Sequence, residues 1–154
     1  MAPGGSTPVL KEWQTHDHLS VMGAVTPPGK IYSLVRQESL TGLHSVAFLR
    51  HLLCVAGDRL LVIWDRSPIH RRAAVQEFLA AEGSGHVHIE PLPPYAPDLN
   101  PVEWKWRHLK EIELCNLACL DLEELHMEFH LALERVRRKP YLVPSFFAGA
   151  RLSV

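Results

Sequence analysis

Residues 60–70 read Leu60-Leu61-Val62-Ile63-Trp64-Asp65-Arg66-Ser67-Pro68-Ile69-His70, five consecutive apolar side chains that end on a carboxylate. A continuous apolar run of this length beside turn residues predicts a strand buried on both faces of a parallel or mixed sheet. Ser67 and Pro68 suit the N-cap and first position of a following helix, which carries Ala74, Val75, Phe78 and Leu79 on one face and stops at Gly83. After Gly85 the alternating residues 86–90 supply a second short strand. Strand, helix and strand at this spacing make a βαβ unit, whose crossover is right-handed in almost every case. Asp65 then lies at the carboxyl end of a central strand, where open α/β sheets bind their ligands.

Working outward, residues 19–25 and 31–35 read as the two strands of a hairpin about a turn that holds Pro27 and Pro28. The period then changes. Val46, Leu49, Leu52 and Leu53 fall at helical spacing after Thr41 and Gly42, and Gly57 with Asp58 ends that helix. Residues 91–101 hold five of the twelve prolines, too many for a helix or a central strand, so they form a stiff loop. Asn100 caps a helix with Pro101 at its first position and an apolar stripe of Val102, Trp106 and Leu109. A last helix begins at Asp121, with Glu124 completing a capping box, and runs through Leu122, Leu125, Phe129 and Val136. Residues 1–18 lack periodicity and form an irregular lead-in to one domain over residues 19–154.

Composition bounds the partners. At 154 residues and 47% hydrophobic, the chain has enough apolar surface for one soluble globular domain. Its longest apolar run, residues 60–64, is far short of a membrane span, and no basic-then-apolar leader opens it, so the expected location is the cytoplasm. Three cysteines without paired metal spacing read as reduced packing residues. A net charge of −1 does not by itself announce a nucleic-acid partner, so any such contact must be local. Cations do gather at Arg71 and Arg72, at Lys105, Arg107 and Lys110, and at Arg135, Arg137, Arg138 and Lys139, each set being ordinary for a solvated helix face.

Two acids stand out. Asp65 ends the apolar strand, although an Asp there also caps turns readily. Glu103 is the third residue after Asn100, which is also the capping-box position. One acid at a strand end and one in the first turn of a helix can nevertheless converge on one divalent ion. Mg²⁺ takes a few carboxylates and keeps waters for a substrate phosphate. Glu103, Arg107 and Lys110 are spaced i, i+4, i+7, so the same helix face would flank the acids with cations suited to phosphates. His16, His18, His86 and His88 keep no recognisable ligand spacing with a further His or acid, which argues against a zinc hydrolase.

The stretch Ile63 to His70, followed by Leu92-Pro93-Pro94-Tyr95-Ala96-Pro97-Asp98-Leu99-Asn100-Pro101-Val102-Glu103, resembles the DDE transposases of the mariner superfamily and related bacterial insertion-sequence enzymes. The second block is the specific one, and the 37 residues between Asp65 and Glu103 are close to that family's spacing. The resemblance implies an RNase H-like α/β fold, a mixed sheet flanked by helices, and a metal-dependent endonuclease and strand transferase acting on transposon-end and target DNA. It implies two Mg²⁺ or Mn²⁺ ions in the complete enzyme, with Asp65 and Glu103 as second and third metal-binding acids and His70 as the histidine that follows the second acid. Arg66 stands where the family usually has Asn, and is expected to touch phosphate, as are Arg107 and Lys110. The family's first Asp lies on a first, central strand upstream of the part matched by residues 2–8. The expectation is therefore a partial domain lacking that strand, inactive alone, and working as a homodimer or with a complementing transposase half. A nucleoid-associated bacterial protein with no membrane attachment is implied. A non-catalytic DNA-binding or dimerisation remnant is the alternative.

Overall fold

The computed structural model describes residues 18–153, so of the lead-in only His18 falls within it. Strand β1 (Ser20–Val25) turns through Pro27, Pro28 and Gly29 into β2 (Ile31–Arg36), and the two pair antiparallel from Ser20 opposite Arg36 to Val25 opposite Ile31. Gly29 takes φ 98°, a left-handed conformation that costs glycine no Cβ clash. Helix α1 (Gly42–Ala56) follows, with Thr41 as N-cap and Gly57 closing its end. Strand β3 (Leu60–Trp64) pairs in parallel with β4 (Val87–Pro91), joined through α2 (Ala73–Ala80) as a βαβ unit.

Beyond the proline-rich loop come α3 (Pro101–His108), α4 (Leu122–Arg137) and α5 (Leu142–Gly149). The fold class is the expected mixed α/β one. The sheet itself differs: among the described residues the strands form two separate two-stranded sheets, β1 with β2 and β3 with β4. One core forms on the hairpin, where Ile31 and Val35 meet Leu109, Phe129, Leu133, Val136, Val143 and Phe146. A smaller one forms under the parallel pair, where Val46 and Leu49 of α1 meet Val75 and Phe78 of α2, with Val62, Trp64 and Val87 against them.

Five expectations need correction. Residues 60–64 are not buried on both faces: Leu61 and Ile63 are 67% and 57% exposed, because α1 and α2 cover one face and no described element covers the other. The helix expected from Ser67 to Gly83 is two pieces, a 3-10 turn Pro68–Arg71 and α2, separated by Arg72 in extended conformation. That break lets His70 fold back over Trp64, ring on ring at 4.2 Å and 9°. The helix from Asp121 is not the last. In α5, Pro144 sits in the first turn, where no backbone N–H is required, while Val143, Phe146 and Phe147 bury themselves. Finally, Lys105 is not on a solvated face but 0% exposed, and of the three free cysteines only Cys119 is even partly buried.

Lys105 is buried because α3 lies directly on β1. A Cβ at Gly23 would collide with the Lys105 ammonium and would stand 2.8 Å from Trp106, so only glycine admits the helix this close. The Lys105 Nζ donates to Ser33 Oγ at 3.4 Å and lies 3.7 Å from the Trp106 ring centre. Among the described residues no carboxylate pairs with it. Burial, and then the nearby Arg137 charge, bring its pKa down to about 7. After α3 the helix widens into a π turn, Leu109–Glu113, which brings the Glu113 carboxylate to Arg135 at 2.7 Å and Lys139 at 3.1 Å on and after α4.

Candidate active site

Asp65 follows the last residue of β3, and the register sets Trp64 opposite Pro91, so the proline-rich loop departs from beside it. Two bonds fasten loop to strand end: Leu92 N–H donates to Trp64 O and Arg66 Nε donates to Leu92 O, both at 2.8 Å. The loop then passes through a 3-10 turn, Pro97–Leu99, and enters α3, where Val102 N–H donates to the Asn100 side chain at 3.1 Å. The tethered loop thereby leads into α3, whose first turn carries Glu103. Asp65, His70 and Glu103 line one cleft of about 630 Å³.

Asp65 does cap its turn, but with one oxygen only. Its Oδ1 accepts from Ser67 N–H at 2.9 Å and faces His70 Nε2 at 3.4 Å. Oδ2 has no hydrogen-bond partner among the described residues. The His70 hydrogen bond holds the Asp65 carboxyl below its ordinary pKa, assisted by Ser67 N–H and opposed by partial burial. Glu103 does not close the capping box that its position allows. The Asn100 N–H bonds to Pro97 O, and the exposed Glu103 carboxylate makes no hydrogen bond among the described residues. Asp65 Oδ2 and the Glu103 carboxylate are therefore without hydrogen-bond partners among the described residues, and both residues line the cleft.

The cations are arranged less simply. Arg66 spends its Nε on the loop and is otherwise exposed. Arg107 lies 4.5 Å over the Trp104 ring, and it lines neither the acid cleft nor its neighbour. Lys110 and Glu103 share a second, adjoining cleft of about 580 Å³ floored by Trp106, Leu109 and Phe129. The expected Glu103, Arg107 and Lys110 face is thus divided between two directions. His86 and His88 are engaged elsewhere, with the Asp58 carbonyl and Glu90, while His16 lies outside the described residues. Sequence reasoning missed Ser45, whose Oγ is 3.3 Å from His70 Nδ1, and gave Trp64 no role beyond packing. Ser45 has no signal in the sequence, being one serine in an amphipathic helix 25 positions away from its partner.

The family model for DDE superfamily endonucleases matches residues 1–126. That is most of the chain and includes Asp65, His70 and Glu103, and the protein belongs to this family. No curated protein matches it. Family membership carries the general expectation of a divalent-ion-dependent nuclease acting on DNA. Among the described residues, however, no three His, Cys, Asp or Glu side chains converge to hold a metal ion, and no helix is long and apolar enough to cross a membrane.

Proposed function

We propose that the chain is the Asp65 and Glu103 portion of a transposase catalytic centre of the mariner and insertion-sequence type. The observation that carries this is that two acids, one from a strand end and one from a helix start, line a single cleft, Asp65 Oδ2 and the Glu103 carboxylate having no hydrogen-bond partner among the described residues. Hard oxygen donors of this kind fit Mg²⁺ or Mn²⁺, and Asp65 and Glu103 are the residues that would hold it. Two such ions, when bound, activate an attacking oxygen and stabilise the leaving oxygen of a phosphodiester. The chain's own part is to fix Asp65 by Ser67 and His70, to present Glu103 by the tethered loop, and to offer Lys110 beside Glu103, with Arg66 and Arg107 exposed outside both clefts, to phosphates of transposon-end and target DNA.

Two acids are too few for that chemistry, and the gap between the two sheets supports reading a third as one brought in between them. The cleft touches every residue of β1 from Val21 to Val25 and every residue of β3, not alternate ones, so it runs along strand edges rather than along one face. Unpaired edges on both sides of one cleft suit an extended segment lying between them. In this reading the third acid arrives on such a strand from outside the described residues, within the same polypeptide or from a complementing chain. A non-catalytic DNA-binding or dimerisation remnant is the second reading, and the lack of a three-ligand constellation among the described residues favours it.

Nicking of transposon-end DNA with Mg²⁺ or Mn²⁺ separates the readings. Residues 1–154 alone should be inactive, and a polypeptide that restores the acid-bearing strand should nick in a manner abolished by Asp65→Asn. Strong Asp65-dependent nicking by the 154-residue chain alone would place the third acid within it. Restored chain that binds DNA without ever nicking would leave the remnant reading standing.

A further inference from the structure

Ser45 lies in the first turns of α1, 1% exposed, with its Oγ 3.3 Å from His70 Nδ1, while the other ring nitrogen of His70 faces Asp65 Oδ1 at 3.4 Å. The ring between them is held flat against Trp64 at 4.2 Å and cannot swing to other partners without losing that stack. We infer that Ser45 is a positioning residue: it decides which nitrogen of His70 bears the proton and, through the ring, which Asp65 oxygen is left for a ligand.

The direction of each bond follows from what each group can donate. An ionised carboxylate only accepts, so the nitrogen facing Asp65 must carry the hydrogen. In a neutral imidazole the other nitrogen is then a bare acceptor, and Ser45 must turn its hydroxyl hydrogen toward it. Ser45 to Nδ1, and Nε2–H to Oδ1, is the one neutral arrangement in which no two lone pairs confront each other. The opposite tautomer would point a ring lone pair at the Asp65 carboxylate and rotate it away from Ser67 N–H. With the arrangement inferred, two donors face Oδ1, and Oδ2 is left without a partner among the described residues.

Ser, His and Asp in contact also serve nucleophilic catalysis, but there the hydroxyl must reach a substrate while a ring nitrogen takes its proton. Ser45, although among the residues that border the cleft, is only 1% exposed, and its Oγ lies 3.3 Å from the ring nitrogen. That makes orientation its function.

The consequence for metal binding rests on the reading of Asp65 as a ligand, whereas the tautomer itself does not. Both are accessible in the ¹⁵N-labelled full chain, the tautomer through long-range ¹H–¹⁵N spectra of His70. The wild type should show Nε2–H predominating. Ser45→Ala should reduce the tautomer ratio by about tenfold, and Ser45→Thr, which keeps the hydroxyl, should retain it. Ser45→Cys, a weaker donor of similar size, should fall between and serves in place of the alanine variant should that fail to fold. His70 found as Nδ1–H in the wild type, or an unchanged ratio in a folded Ser45→Ala or Ser45→Cys chain, overturns the assignment. In parallel, Mn²⁺ broadening of resonances around Asp65 should require up to about tenfold more Mn²⁺ in Ser45→Ala, at the low end of the cost of losing a supporting hydrogen bond. The expected tautomer without any Mn²⁺ broadening near Asp65 would support the role of Ser45 and defeat the metal reading alone.

Discussion

Around the hairpin, ten residues are buried in one cluster, most of them supplied by α4 and α5 and the turn after α3, whereas the parallel pair gathers only four, from α1 and α2. The hairpin half closes over itself tightly enough to bury an ammonium group. The parallel half leaves Leu61 and Ile63 exposed on its uncovered face. Yet each half holds one of the two acids: Glu103 starts a helix packed on β1, and Asp65 ends β3. A site at the seam between a closed half and an open one inherits its geometry from both. The comparison therefore predicts that stability lies mainly with the hairpin half and that the open half yields first.

The largest test of this is cavity formation. Leu133→Ala, at a residue 1% exposed inside the hairpin core, should cost about 2–5 kcal/mol by the lost burial plus the cavity. Val75→Ala, in the smaller core, removes less volume beside neighbours with freedom to relax and should cost about 1–2 kcal/mol. Urea denaturation of both variants measures the difference. Equal losses would mean that the two halves are one cooperative core.

Next in size is Lys105. With its folded pKa near 7 and its unfolded value near 10.5, the unfolded chain binds more protons throughout that window, so stability rises as pH goes from about 7 to about 10. Lys105→Met keeps the length, removes the buried ammonium and should stabilise the chain at neutral pH by about 1–4 kcal/mol. It should also flatten the rise. A flat profile in the wild type between those pH values would show that Lys105 reaches water or an anionic partner, and the hairpin half would then be less closed than it looks.

Much of this architecture can be read from the sequence wherever local pattern and burial agree. The hairpin turn with its prolines and Gly29, the five-residue strand ending on Asp65, and the loop that hands the chain to Asn100 and Pro101 are all written in residues whose backbone preferences leave few choices. The candidate acids were legible for the same reason, since both stand at element ends. Lys105 was not. Its charge argues for solvent, and only the missing side chain of Gly23, eighty-two positions earlier, makes room for it. The break at Arg72 was hidden because Pro68 and Ala73 both suit helices, and the stacking of His70 on Trp64 that accompanies the break is a tertiary contact. Helix α5 was obscured by Pro144, which reads as a breaker unless the first turn is recognised. Burial of residues 60–64 on both faces was expected from the continuous apolar run, but a local pattern cannot say whether a covering layer exists.

That last mismatch gives the smallest and most discriminating prediction. Leu61 and Ile63 point away from α1 and α2, so in the isolated chain Leu61→Thr and Ile63→Thr should each change stability by no more than about 0.5 kcal/mol, as surface substitutions do. Threonine retains the branching that suits a strand, which removes backbone preference as a confounding cause. A sequence that spends two large apolar side chains on a face open to water nevertheless calls for a partner, since such residues stabilise by about 1.5–3 kcal/mol each once covered. If the acid-bearing strand, on joining the sheet, brings its own flanking segments onto this face, the same substitutions should become costly in the restored polypeptide and remain silent in the 154-residue chain. Parallel melts of both forms read this directly. Large losses in the short chain would mean that the face is already covered, by a second copy or by residues 1–17, and concentration dependence of the melting temperature tells those two apart. Silence in both forms would leave the face open in the restored polypeptide too, and the difference between the halves would then not come from the added strand.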